Sequence, residues 1–366
     1  MCPDVAVVIG NWEGERVLGD CLASLAEQSS PPTEVVVVDA SSADGSARLA
    51  RSHGARVLVR PNRGLGYLYN EGARAVRADY VLCANNDVAF EWRCLELLAA
   101  ALDEDPYRFA ADPRQLDWSG ERLVHARVTL RRGPLLRQPI PGFRLDLAVP
   151  SATIVPTVSA NGGAMLVRRD YLLQLGGFDE TMFMDFEDLD LCWRAWLSTW
   201  PSVYVPDAVV RHHVGAVTSE AALSRRLASS HHNLLRFALK CLPASEALRV
   251  LTGEVLRLPR HPRPIGAALL RTARELPAIV RERRGARPNP DFTRWVLDGM
   301  PEPAARFAAA GPLSHQASRL APPSGGAAVG PTEEGERRAQ QDLQVDEGGA
   351  VLDLPDVELD PVRPRE

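Results

Sequence analysis

The chain has 366 residues, 45% hydrophobic and 24% charged, which is length enough for one large α/β domain or two smaller ones. Those fractions exclude collagen-like, wholly disordered and multispanning membrane classes. A formal net charge of −5 argues against a whole-molecule field that would draw in nucleic acid, so nucleic acid is not an expected partner.

The charge is uneven. Residues 331–366 hold 11 acids and 4 arginines, net −7, whereas residues 220–300 hold 15 basic and 7 acidic side chains, net +8. Lys240 is the only lysine, an arginine bias that reads as genome composition before phosphate recognition. Cysteines at 2, 21, 83, 94, 192 and 241 form no C-x-x-C pair and mostly sit in apolar runs, as reduced buried thiols of a cytoplasmic protein do. Residues 1–11 carry neither a basic leader nor a cleavage site, so no signal peptide is expected. No apolar run approaches the roughly 18 residues of a membrane span.

In chain order, β-branched runs at 5–9 and 35–38 enclose an amphipathic segment at 16–28, which predicts a β-α-β unit with parallel strands. A helix over 46–53, a strand over 55–59, a helix over 69–76 and a strand over 80–84 continue the alternation into a doubly wound sheet. Ligands collect beyond the carboxyl ends of such strands, where Asp39, Asn62, Asn85, Asn86 and Asp87 fall. Residues 103–158, punctuated by Pro106, Pro113, Pro134, Pro139, Pro141, Pro150 and Pro156, predict an irregular, substrate-shaping insert. A strand over 164–167, helices over 169–175 and 189–196, and separate strands over 202–205 and 209–211 complete the sheet. Residues 221–300 read as Ala/Leu/Arg helices broken by Pro243, Pro259, Pro262 and Pro264. Beyond Pro303 the composition turns to Ala, Pro, Gly and Glu, which predicts a disordered tail.

Several stretches carry chemistry. Asp39, at a strand end, suits hydrogen bonding to a base or ribose, while Asp44 or Ser46 suits capping of the following helix. The run from Asn62 through Gly64 and Gly66 is not a dinucleotide fingerprint, because G-x-G-x-x-G needs glycine where Tyr69 stands. It reads equally as a backbone approach to a phosphate or sugar and as a tight turn into a helix. Asp179, Glu180, Asp185, Glu187, Asp188 and Asp190 are interleaved with Phe178, Met182, Phe183, Met184 and Phe186, a mixture unlike a solvated helix face and suited to a pocket. His212 and His213 close a strand, where an imidazole serves as a ligand or an acid/base.

Taken in order, Asn11-Trp12-Glu13-Gly14, the turn from Asp39 to Ser46, Asn62 to Asn70, Asn85-Asn86-Asp87, Gly162 to Arg169, Gly177 to Glu180 and Glu187 to Leu191 resemble the family-2 inverting glycosyltransferases of GT-A fold, especially their rhamnosyltransferase-like branch, over roughly 4–219. The resemblance implies a Rossmann-like doubly wound mixed sheet. A GT-A domain would occupy 1–220, with a nucleotide-binding half at 1–102 and an acceptor and catalytic half at 103–220. A basic helical extension would follow at 221–302 and a disordered acidic tail at 303–366. Gly10, Glu13 and Ala40 depart from the family's usual Pro, Asn and Asn, which leaves the nucleotide base open.

The resemblance also implies roles. A nucleotide-diphosphate sugar would meet Asn11, Glu13, Asp39, Asn62, Gly64, Asn70 and Asn86. Asp87, with His212, would hold Mn²⁺ or Mg²⁺. Asp188 would act as general base, its pKa raised by like-charge repulsion from Glu187, Asp185 and Asp190. Gly163, Glu187 and Trp193 would shape the acceptor pocket for a glycan, a lipid-linked sugar or a natural product. The basic helices fit a peripheral membrane contact at the inner membrane face, packing on the catalytic domain, or a homodimer. A sugar-nucleotide-binding protein without catalysis and a sugar nucleotidyltransferase are the alternatives.

Overall fold

The computed structural model describes residues 4–136, 140–141, 143–148, 153–213 and 220–300. Cys2, Pro139, Pro150 and the expected tail at 303–366 lie outside them. The first half alternates as the hydrophobic pattern predicts: β1 (Val5–Asn11), α1 (Leu18–Ala26), β2 (Glu34–Asp39), α2 (Ser46–Ser52), β3 (Arg56–Val59), α3 (Leu65–Ala75) and β4 (Tyr80–Asn85). β1 is buried along its whole length, as a central strand covered on both faces must be. α3 begins four residues before the expected start, because Gly64 (φ 101) turns the chain and the Leu65 N–H bonds to the Phe183 carbonyl at 3.1 Å. Within α3, a Cβ on Gly72 would stand 2.1 Å from Val8 Cγ1. Gly72→Ala is therefore expected to cost about 1–3 kcal/mol by overpacking, read as a lower urea midpoint at unchanged slope; an unmoved midpoint would mean that α3 slides freely on β1.

β5 (Val88–Phe90) and α4 (Cys94–Asp103) follow. The stretch expected to be an irregular insert carries five strands: β6 (Ala110–Asp117), β7 (Leu123–His125), β8 (Arg127–Arg132), β9 (Phe143–Ala148) and β10 (Val155–Thr157). Then come β11 (Ala164–Arg168), α5 (Arg169–Gln174), α6 (Glu187–Leu197) and β12 (Ser202–His212). β12 is one strand rather than two. Its ladder with β6 shifts register between Val205 and Val209, and Pro113 is paired with Val205 at that level. Proline donates no hydrogen bond, so Pro113 and Pro206 are accommodated where the ladder slips past a bulge.

The main sheet runs β10-β12-β6-β11-β4-β1-β2-β3, with β5 on β12 and β7 on β6, while β8 and β9 form a separate antiparallel pair. Pairings are parallel from β4 to β3 and between β6 and β12, and antiparallel around β11, which makes the sheet mixed as expected. Two apolar layers cover it, one centred on Ile9, Leu18 and Leu98, the other on Val8, Tyr69 and Phe178.

The helices α7 (Glu220–Cys241), α8 (Ala244–Arg257), α9 (Pro262–Ala286) and α10 (Pro290–Leu297) complete the described chain. Pro243 precedes α8 and Pro262 opens α9, positions where a missing N–H costs nothing. Of these, α7, α8 and α10 share a third core with β8 and α6, in which Trp193 and Trp196 meet Phe237, Phe292 and Trp295. The five described cysteines are buried and free, and no helix among the described residues is long and apolar enough to cross a membrane.

Candidate active site

Three parallel strands end at one level. Asn11 of β1 is in register with Asp39 of β2, and Gly10 with Asn85 of β4. Asp39, buried, accepts hydrogen bonds from the Asn11 amide at 2.7 Å, the Ser42 hydroxyl at 2.7 Å and the Ser42 N–H at 3.0 Å. Asn86 donates to the Asn11 side-chain oxygen at 2.8 Å. These strand ends are thus one buried polar network whose members hold each other in place. Glu13, at φ 51, folds back so that its carboxylate accepts the Ala43 N–H at 2.7 Å. A Cβ on Gly10 would stand 2.6 Å from Leu65 Cδ1. Glu13 and Gly10 thus each have a local neighbour that fits them.

Asp87 follows β4, and His212 closes β12. His212 Nε2 lies 3.2 Å from Asp87 Oδ1, and its Nδ1 lies 3.0 Å from Gln115 Oε1. With Gln115 accepting the Nδ1–H hydrogen bond, the Nε2 lone pair faces the Asp87 oxygen, which a shared cation or proton satisfies. The ring is oriented as a metal-bound imidazole is, so the donor set fits a divalent ion that accepts nitrogen. No third His, Cys, Asp or Glu among the described residues closes around the pair. The His213 N–H donates to the Asp87 carbonyl at 2.9 Å, and Trp118 stacks on the His213 ring at 3.7 Å.

Across from this pair, Asp185 (φ 69) and Phe186 (φ 68) are two consecutive left-handed residues before α6. They turn the acidic run so that Glu187, Asp188 and Asp190 occupy the first helical turn, where the helix dipole favours carboxylates. Asp188 accepts the Leu189 N–H at 2.7 Å through Oδ1 and the Gly162 N–H at 3.2 Å through Oδ2. Burial holds its pKa above the ordinary carboxylate range, against the pull of those two N–H groups and of His125, with Asp185 adding to the rise. The expected cause is corrected: burial leads and like charge follows. Asp190 contributes little repulsion, because Arg194 at 2.8 Å and Lys240 at 2.7 Å neutralise it.

Tyr69 ties the two sides together. Its fully buried hydroxyl lies 3.0 Å from Asn85 Oδ1 and 2.7 Å from the Gly162 carbonyl. Burial pushes the phenol well above its ordinary pKa, with Cys83, Glu187, Asp87 and Asp188 adding to the rise. Asp87 from one side and Glu187 and Asp188 from the other therefore act on one phenol.

Asp112 and His125 escaped the sequence reading, because thirteen residues separate them within a proline-rich stretch and neither carries a local signal. Asp112 Oδ2 is 2.9 Å from His125 Nε2, both side chains being buried. Asp112 Oδ1 accepts the Asn161 N–H at 3.0 Å, and Asn161 Oδ1 accepts the Gly163 N–H at 2.8 Å. Asp112 and Asp188 are thus held by the successive N–H groups of Asn161 and Gly162. Burial raises the Asp112 pKa, and although burial alone would lower that of His125, the Asp112 and Asp188 carboxylates raise it.

Other expected site residues lie elsewhere. The Asn70 amide is spent at both ends: it donates to the Phe178 carbonyl and to Glu180 at 3.0 Å each, and accepts the Phe178 N–H at 2.8 Å. It holds the 178–180 loop in place of a donor. Gly64 backs onto Phe183, whose carbonyl would be 2.4 Å from a Cβ there, and Asn62 stands exposed. Gly163 stays beside the site through its backbone, its carbonyl accepting the Asn85 N–H at 2.9 Å. Trp193, 1% exposed, lies in the helical core, since five residues along a helix turn it away from Asp188. Glu187 is buried beside Asp188.

The acidic loop is strapped to the helices that follow. Asn233 donates to the Met184 and Asp185 carbonyls at 2.8 and 2.9 Å. Arg236 meets Asp179 at 2.8 Å, and Lys240 bridges Asp179 and Asp190.

Against known proteins, residues 6–153 match the family described as Glycosyl transferase family 2. The N-acetylglucosaminyl-diphospho-decaprenol L-rhamnosyltransferase of Mycobacterium tuberculosis is 33% identical over 241 residues, which cover 59% of this chain and 78% of that protein. The chain belongs to the family-2 glycosyltransferases, and its likeness runs to a rhamnosyltransferase. The pre-mycofactocin glycosyltransferase of the same organism is 33% identical over 57% of this chain and 42% of its own length. Among solved structures, GalNAc-T7 with UDP, GalNAc and Mn²⁺ shares the GT-A fold at a TM-score of 0.53 and 15% identity, over 66% of this chain. The chain spans about half (49%) of GalNAc-T7.

Proposed function

We propose that this protein is an inverting, metal-assisted glycosyltransferase that moves a hexosyl or deoxyhexosyl group from a nucleotide-diphosphate sugar to an acceptor hydroxyl. The observation that carries the reading is Tyr69, which links the end of β4, bearing Asp87, to the Gly162 backbone whose N–H holds Asp188. The donor nucleotide lies over residues 1–102, against the network of Asn11, Asp39 and Asn86, and the acceptor lies over residues 103–220. A divalent cation, when bound, neutralises the charge that develops on the departing diphosphate. Asp87 Oδ1 and His212 Nε2 would hold it, with phosphate oxygens and water supplying the remaining ligands. The imidazole nitrogen favours Mn²⁺ over the all-oxygen preference of Mg²⁺.

Asp188 removes the proton from the acceptor hydroxyl as that oxygen forms its bond to the anomeric carbon from the face opposite the breaking bond to the diphosphate. The anomeric centre inverts. The name of the rhamnosyltransferase relative supports a deoxyhexosyl donor and a lipid-linked acceptor. The test is thermal stabilisation by a panel of nucleotide sugars with and without Mn²⁺, in which a ligand at about 100 times its Kd adds about 2.7 kcal/mol. Metal-dependent stabilisation is expected for the native protein and its loss for Asp87→Ala and His212→Ala. Equal donor affinity with and without metal would overturn the assignment.

A further inference from the structure

Helices α8 and α9 present a face that nothing in the described chain covers. Leu248, Val255, Leu256, Leu270, Leu276 and Val280 stand exposed on these two helices, Leu248 at 62% and Leu270 at 55%. Leu248, Val255 and Leu256 fall at i, i+7 and i+8, one stripe of α8, while Ala247, Val250 and Glu254 are turned inward. On α9, Ile265, Ala268, Thr272 and Ile279 are buried, so helical spacing sets Leu270, Arg274, Pro277, Arg281 and Arg284 on the opposite, outward side.

The charge on these helices is one-sided. Glu246 is paired with Arg132, Glu254 with His231 and Arg257, Glu275 with Arg271 and His232, and Glu282 with Arg236. Every acid of α8 and α9 is thereby spent. Arg260, Arg263, Arg274, Arg281, Arg284 and Arg287 are exposed and meet no described acid. The apolar stripe of α8 and, on α9, a helix about 37 Å long from its 25 residues and too polar to cross a membrane, an outward row in which Leu270 and Pro277 alternate with unneutralised arginines together have the chemistry of helices that lie in a bilayer interface.

We propose that the outward face of α8 and α9 seats on an anionic lipid bilayer, with its leucine and valine side chains below the headgroups and its arginines among the phosphates. A second copy of the chain is the poorer occupant, because a two-fold contact would set the same unpaired arginines against each other. A bilayer neutralises them and accepts the apolar side chains together. The inference rests on the proposed transfer to a lipid-linked acceptor only for its purpose. Its test reads binding alone, without donor, metal or turnover, so either reading can fail without the other.

The full chain is floated with vesicles of phosphatidylglycerol and phosphatidylcholine, and with phosphatidylcholine alone. Partitioning onto the anionic vesicles is expected, weakened by salt, with little onto the neutral ones. Arg274→Gln/Arg281→Gln/Arg284→Gln should weaken it about a hundredfold, at roughly fivefold per arginine. Leu256→Ser/Leu270→Ser/Val280→Ser should weaken it further than salt does. Both variants are surface changes, so an unaltered melting temperature serves as the folding control. No partitioning onto anionic vesicles, or equal partitioning by native protein and arginine variant, overturns the proposal. So does a serine variant that binds like the native chain, since adsorption by charge alone seats no side chains. A dimer in sedimentation that the serine variant disperses would assign the face to a second copy instead.

Discussion

Asp188→Asn is expected to lower turnover by about a hundred- to ten-thousand-fold, the range of a positioned general base, while Mn²⁺-dependent donor stabilisation stays at the native level. Asparagine keeps the side-chain oxygen that can accept the Gly162 or Leu189 N–H but cannot take the acceptor proton. The pH profile carries the same argument. Because burial raises the Asp188 pKa, the carboxylate that acts as base is populated only above that raised value. The acid limb of kcat should then sit at higher pH than the roughly 3.9 of a free aspartate. His125 pulls this pKa down, so His125→Gln should move the limb higher still, a displacement that a merely structural histidine would not produce. Full turnover by Asp188→Asn would dismiss the residue as base. Native donor binding without turnover in the wild-type chain, across acceptors, would favour the sugar-nucleotide-binding alternative.

Lys240→Ala should destabilise the fold by about 3–5 kcal/mol, the cost of leaving a buried ion pair without one partner. Lys240 lies 2.7 Å from Asp190 and also meets Asp179, all three side chains being buried. The comparison is Arg294→Ala, whose pair with Asp291 is 70% and 79% exposed and is expected to contribute under about 1 kcal/mol. Urea midpoints of the two variants decide the matter, and a Lys240→Ala midpoint near that of the native protein would end the claim.

The pH dependence follows from the sign of the shifts. Burial alone would raise the pKa values of Asp179 and Asp190, but Lys240 outweighs it, with Arg236 at Asp179 and Arg194 at Asp190, and both carboxyls titrate below their ordinary range. A depressed folded pKa contributes stability above the unfolded value of about 3.9, lost as pH falls through the folded value. The native chain should lose this contribution only progressively as pH falls below about 4, and Lys240→Ala, which lacks the pairing, should unfold at a higher pH.

Local patterns carried much of this molecule. The continuous apolar runs at 5–9, 35–38 and 80–84 placed β1, β2 and β4, and the polar residues just after them, Asp39 and Asn85 to Asp87, fell at the strand ends because a strand terminates where apolar burial stops. The proline-rich stretch misled. Proline forbids a ladder hydrogen bond only at its own position, and the slip beside Pro113 leaves β6 paired on both sides.

What the sequence by itself determined is the strand and helix alternation, the residue types at the strand ends and the family, since each is written in spacing a few residues long. What the tertiary structure alone decided is which of those residues meet. It put Asp112 against His125, brought His212 to Asp87, turned Trp193 inward and Asp188 toward Gly162, and locked the acidic loop to Lys240. Those meetings join positions tens of residues apart, and the burial that sets the Asp188 pKa exists only once every layer around it has closed.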